Sequence, residues 1–95
     1  MKTAARPAQD PTVKILKSLA DPTRLGVVRR LSARPPGEST EVLCQKSLLS
    51  QPTLSHHLQR LVEAGVVSES KDGVVKSYKL NRALLERCGI NVSKL

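Results

Sequence analysis

Between Ser50 and Ala64 the chain reads Ser-Gln-Pro-Thr-Leu-Ser-His-His-Leu-Gln-Arg-Leu-Val-Glu-Ala. Six polar side chains of this run, Gln51, Thr53, Ser55, His56, Gln59 and Arg60, are amides, hydroxyls, an imidazole and a guanidinium. Such groups suit the donor and acceptor pattern that base pairs present in the major groove of DNA, and the phosphates beside it. Their spacing supports the same chemistry. Leu54, Leu58 and Leu61 recur at intervals of four and three and form one apolar stripe. At about 100° per residue this stripe leaves Pro52, His56, Gln59 and Glu63 opposite, with Thr53, Ser55 and Arg60 on the flanks. Gln51, Thr53, Ser55 and His56 are therefore expected at base edges or nearby phosphates, and Gln59 and Arg60 at the backbone. His57 lies nearer the stripe and reads as a packing histidine. Lys71 and Lys76 flank an Asp72-Gly73 turn and suit phosphate binding, although lysines also protect exposed strand edges. An enzyme is disfavoured, because no nucleophile has a base and an orienting partner at recognisable spacing and no glycine-rich phosphate loop occurs.

The elements that must position these side chains can be read outward from them. Ser50 is an N-cap followed by Pro52, and Gly65 fits the left-handed residue that ends a helix. A helix over 51–64 results. Before it, Thr40 opens a helix with Val42 and Leu43 inward, closing at Leu48 or Leu49, so that only a short turn around Leu48 to Ser50 separates the two. Arg-Pro-Pro-Gly within 33–39 predicts a loop. Upstream, Asp21 caps a helix from Pro22 to about Ser32 with Leu25, Val28 and Leu31 inward, and Thr12 to Ala20 forms a short first helix. Arg24, Arg29 and Arg30 are expected to reach water or phosphate. Beyond Gly65 the period changes to two, and 66–71 and 74–80 around Asp72-Gly73 predict a two-stranded hairpin. Tyr78, in register with Leu80, is expected in the core beneath it. Asn81 caps a last helix, from Arg82 to about Cys88, which Gly89 stops. The fold class is α+β and mostly helical: a winged helix-turn-helix with a β-hairpin wing. Residues 1–11 read as a flexible basic arm, 12–88 as the domain and 89–95 as a tail.

Ninety-five residues allow one core, and with no Phe or Trp that core is aliphatic. Sixteen Lys and Arg against eight acidic residues give a net charge of +8, which attracts polyanions. No apolar run approaches a membrane span and no signal peptide is evident, so no membrane partner and a cytoplasmic location are expected. Cys44 and Cys88 are far apart and outside any CxxC pair. They read as small hydrophobes, with a redox pair as the alternative. No cofactor and no metal ligand set are expected.

The runs Leu19-Ala20-Asp21-Pro22-Thr23-Arg24-Leu25 and Ser50-Gln51-Pro52-Thr53-Leu54-Ser55-His56-His57-Leu58 resemble the ArsR/SmtB winged-helix repressors, and Leu61 and Ala64-Gly65-Val66-Val67 extend the resemblance. It covers most of residues 13–81. It implies a homodimer built from the first and last helices, with Val13, Leu16, Leu84 and Leu85 on the dimer face. It further implies an inverted-repeat operator of double-stranded DNA, released when an inducer binds. Ser39 and Glu41 stand where metal-sensing members place cysteines, and the last helix offers only Glu86 and Cys88, so the family's metal sites are expected to be absent. Leu48 stands where the family often has a turn glycine. A DNA-binding repressor is thus the leading expectation. A winged-helix module for protein interaction or non-specific nucleic-acid binding is the alternative.

Overall fold

Four side-chain caps set where four of the five α-helices begin. Asp21 accepts from the Arg24 amide at 2.9 Å, and Ser39, Ser50 and Asn81 each accept from the amide three residues on, at 3.3 Å. In the computed structural model, which describes residues 11–95, the resulting order is α1 (Thr12–Leu19), α2 (Pro22–Ser32), β1 (Glu38–Ser39), α3 (Thr40–Ser47), α4 (Gln51–Glu63), β2 (Val67–Asp72), β3 (Val75–Leu80) and α5 (Arg82–Arg87). The expected arm, 1–11, lies outside the described residues apart from Pro11.

The core is the aliphatic one that the composition demands. Ile15, Val28, Leu31, Leu54, Leu61 and Val66 are each fully buried, and Tyr78 is buried under the sheet as expected. Each such side chain contributes about 1.5–3 kcal/mol by leaving water. On α1 the inward residues are Ile15, Ser18 and Leu19, while Val13 and Leu16 remain 60% and 52% exposed. Helix α4 ends in a Schellman turn, in which the Val66 amide bonds to the Leu61 carbonyl and the Gly65 amide to that of Val62, each at 3.0 Å. Gly65 takes φ +81 there. The Asn81 side chain bonds to the Gly65 carbonyl at 3.1 Å, which ties the base of the wing to the end of α4.

Expectations for the loop before α3, for the C-terminal segment and for Arg30 are corrected. The loop before α3 closes with a short strand, so the wing belongs to an antiparallel sheet of order β1-β3-β2, with Glu38 opposite Tyr78 and Ser39 opposite Ser77. Gly37, at φ +95, permits the close approach: a Cβ there would lie 2.6 Å from the Tyr78 carbonyl oxygen. Arg30 explains why a glutamate sits in this strand. Its Nε lies 2.6 Å and its Nη2 3.0 Å from the Glu38 carboxylate, whose side chain is only 3% exposed. A buried carboxylate without such a partner would be strongly destabilising. The segment 89–95 is likewise no free tail. Val92 is buried, the Ile90 amide bonds to the Leu85 carbonyl at 2.8 Å, and a 3₁₀ turn over Val92–Lys94 packs against α2. Arg29 donates to the Leu95 carbonyl at 2.9 Å while remaining exposed to water, as expected, whereas Arg30 is drawn into the fold by Glu38.

A further arginine clamps the helices on which α4 rests. Arg24 Nε donates to the Ser18 carbonyl at 2.8 Å and its Nη1 lies 3.3 Å from His57 Nδ1. The Asp21 carboxylate stands 3.8 Å from the same imidazole nitrogen. His57 is the packing residue that its place beside the stripe implied, and it links α4 to both earlier helices.

Leu48 caps α3 at φ 60, ψ 22 and is the sole non-glycine residue with positive φ among those described. Its side chain is 90% exposed, so packing does not offset the left-handed backbone. Leu48→Gly should raise stability by about 0.5–1 kcal/mol, read as a higher urea midpoint; an unchanged or lower midpoint would contradict the strain. Asp21 makes a second prediction. The hydrogen bond from the Arg24 amide lowers its pKa from 3.8 and outweighs the opposing effect of burial, and the Arg24 and His57 charges lower it further. Its contribution is therefore present above about 3.8 and lost as pH falls through the lowered folded value. Asp21→Asn keeps the cap without the titrating charge, and its urea midpoint should fall less steeply on acidification than that of the wild type.

Candidate nucleic-acid interface

The buried stripe of α4 fixes how the helix is rotated, and its exposed residues fall on two flanks. Gln51, Ser55 and Gln59 turn toward the wing and share an open cleft of about 590 Å³ with Lys71 and Lys76. His56 and Arg60 turn the other way, toward α1. Thr53 sits at the first turn, where its hydroxyl accepts from Ser50 Oγ at 2.9 Å and its amide is capped by the same oxygen. Every α4 residue expected at DNA is exposed. They do not form a single face, however: the wing side presents amides and a hydroxyl, and the α1 side presents an imidazole and a guanidinium.

The hairpin register explains the basic wing. Val67 pairs with Leu80, Glu69 with Tyr78 and Lys71 with Lys76, so these residues share the sheet face that is core at its base and cleft at its tip. Directly opposed lysines repel one another. Glu69 relieves this, with its carboxylate 3.2 Å from Lys76 Nζ, and the same oxygen accepts from the Tyr78 hydroxyl at 3.4 Å. The Glu69 carboxylate raises the Lys76 pKa, and burial, followed by the Glu69 charge, raises that of Tyr78. Gln59 and Arg60 are also engaged within the chain, donating to Glu63 at 3.3 Å and lying 3.8 Å from it, respectively. Glu69 was not foreseen, because its place needs the strand register, whereas Glu63 lies on the exposed face of α4 where the spacing of the stripe put it.

At the tip, Asp72 pairs with Val75 across Gly73 and Val74. Gly73 has φ +65 and Val74 does not have positive φ, which fits a type II′ turn. Val74 is 93% exposed.

The residues expected at a dimer face separate. Val13 and Leu16 are exposed on α1, and Leu84 is half-buried against the core. Leu85 is only 1% exposed and belongs to the chain's own core. Its assignment to a dimer face is corrected. Cys44, half-buried on α3, lines the wing cleft, whereas Cys88 is the C-cap of α5; both thiols are free. Ser39 spends its hydroxyl on the α3 cap and Glu41 is exposed in the first turn. Among the described residues, no helix is long and apolar enough to cross a membrane, and no three His, Cys, Asp or Glu side chains group as a metal site.

Comparison with known proteins places this geometry. A family model described as a helix-turn-helix domain matches residues 19–69. The arsenical resistance operon repressor of Staphylococcus aureus is 44% identical over 77 residues, covering 76% of this chain and 67% of the relative. A crystal structure of an ArsR family transcriptional regulator superposes with a TM-score of 0.73 at 25% identity, over 88% of this chain and 82% of the other. The homodimeric winged helix-turn-helix DNA-binding domain from Mycobacterium bovis superposes with a TM-score of 0.75 at 21% identity, over 94% and 83%. Its likeness bears on fold alone. The family model spans more than half of the chain and the staphylococcal repressor is 44% identical over 76% of it, so the chain belongs to the ArsR family of winged helix-turn-helix transcriptional regulators.

Proposed function

We propose that this regulator is a sequence-specific repressor that binds an inverted-repeat operator in double-stranded DNA as a homodimer, without the thiolate metal sites of its metal-sensing relatives. The observation that carries the reading is the cleft in which Gln51, Ser55 and Gln59 of a capped helix face Lys71 and Lys76 of the wing. A helix inserted in the major groove presents the amides and hydroxyl to base edges, while the wing lysines reach phosphates on the strand that passes between. The approach of phosphate replaces Glu69 as the partner of Lys76. Residence in the cytoplasm belongs to the same proposal.

Support for the dimer comes from Val13 and Leu16, apolar and more than half exposed on one flank of α1. Two copies joined by symmetry would present two α4 helices, matching a palindromic site. Ser39 and Glu41, where metal-sensing members carry cysteines, and the separation of Cys44 from Cys88 along the fold favour a repressor whose signal is not a thiophilic metal.

A duplex selected from a random pool provides the probe. Gln51→Ala and Ser55→Ala should each reduce the preference for that duplex over a scrambled one by roughly ten-fold, at about 1–3 kcal/mol per base contact. Lys76→Ala should weaken both duplexes alike and make the salt dependence shallower by about one. Loss of base preference in Lys76→Ala, or none in the α4 variants, would contradict the docking. If no duplex is enriched, the chain is instead a non-specific binder or a protein-interaction module. Leu16→Glu should convert a dimer to a chain of single mass, 10.3 kDa, by sedimentation. A wild type already sedimenting as a monomer, or a variant that remains dimeric, would contradict this face.

A further inference from the structure

The flank of α4 turned away from the wing is met by α1, and between them lies a second concavity of about 390 Å³. Its walls carry Lys14 and Lys17 from α1, Arg24 from α2, and His56 and Arg60 from α4, with Glu63 as the one carboxylate. Glu63 is already shared between Arg60 and Gln59. Arg24 is held in place by the Ser18 carbonyl and His57. Lys14 and Lys17 are exposed, and neither has an ion-pair partner among the described residues.

The arrangement on α1 is sorted rather than mixed. At about 100° per residue, Ile15, Ser18 and Leu19 face the core, Val13 and Leu16 occupy one exposed flank, and Lys14 and Lys17 occupy the other, beside α4. A partner subunit seated on the apolar flank would leave the basic flank open. Cations gathered around one concavity repel one another, and an anion placed among them removes that cost.

We infer that this concavity is a phosphate site for the same duplex: Lys14 and Lys17 hold backbone phosphates just outside the bases read by Gln51 and Ser55. The inference rests on the DNA-binding reading proposed above and adds a second line of backbone contact, opposite the wing. Helix α4 would then lie between two phosphate-binding walls, the wing lysines on one side and the α1 lysines with Arg60 on the other. The two walls fix its tilt in the groove without reading sequence themselves.

The test compares the wild type, the double variant Lys14→Ala/Lys17→Ala, and Lys94→Ala, which removes an exposed lysine from the C-terminal 3₁₀ turn. Affinity for the selected duplex and for a scrambled duplex is measured over a series of salt concentrations. All three proteins are first matched by circular dichroism. The double variant should bind both duplexes more weakly by the same factor, and its log–log salt slope should be shallower by about two, near 0.9 for each phosphate released. Lys94→Ala should keep the wild-type slope. A double variant with the wild-type slope would overturn the site, as would one that lost its preference between the duplexes. Should the wild type itself show no salt-dependent duplex binding, the DNA reading fails and the site with it; that outcome is distinguishable because the wild-type measurement alone reveals it.

Discussion

Burial of Leu54, Leu58 and Leu61 is the constraint on which the rest of the structure depends. Their side chains are 0–1% exposed, and they hold α4 at one rotation about its own axis. That rotation decides which polar residues meet the wing and which meet α1. The caps and turns serve the same end: Ser50 starts the helix, the Schellman turn at Gly65 stops it and swings the chain into β2, and His57 ties it to α1 and α2 through Arg24. A recognition surface needs its side chains on a rigid element, and here the element is rigid because its other face is core.

Charge is sorted in a comparable way. Asp21 and Glu38 are used inside the fold, one as a cap and one in a buried pair with Arg30. Glu63 and Glu69 stand at the surface beside the residues assigned to DNA, where they hold Arg60, Gln59 and Lys76. Such exposed pairs contribute little to stability and exchange easily for a phosphate. Beside α1, Lys14, Lys17, Arg24 and Arg60 outnumber Glu63, whereas in the wing cleft Lys71 and Lys76 are matched by Glu41 and Glu69.

Helix starts were legible because Asp21, Ser50 and Asn81 are short acceptors set just ahead of apolar periodicity, and the hairpin because Asp72-Gly73 separates two alternating runs. The six α4 side chains assigned to DNA were legible as exposed for the same reason. Partners distant in sequence were not. Glu38 looked like loop because a two-residue strand carries no period, and only its pairing with Tyr78 and Arg30 reveals its place. Leu85 looked available to a partner because an amphipathic helix of six residues does not show whether its apolar face meets its own core or another subunit. Lys14 and Lys17 carried no signal of their own, because the sequence does not show that α4 lies beside them.

The central claim is that the first two turns of α4 enter the groove with the wing alongside. Titration of ¹⁵N-labelled protein with the selected duplex tests it most directly, since each backbone amide reports separately. The account predicts the largest shifts at Gln51, Thr53, Ser55 and His56, with a second group from Lys71 to Lys76. Shifts confined to the face bounded by Thr23, Val27 and Lys46, with those of α4 and the wing unmoved, would contradict it.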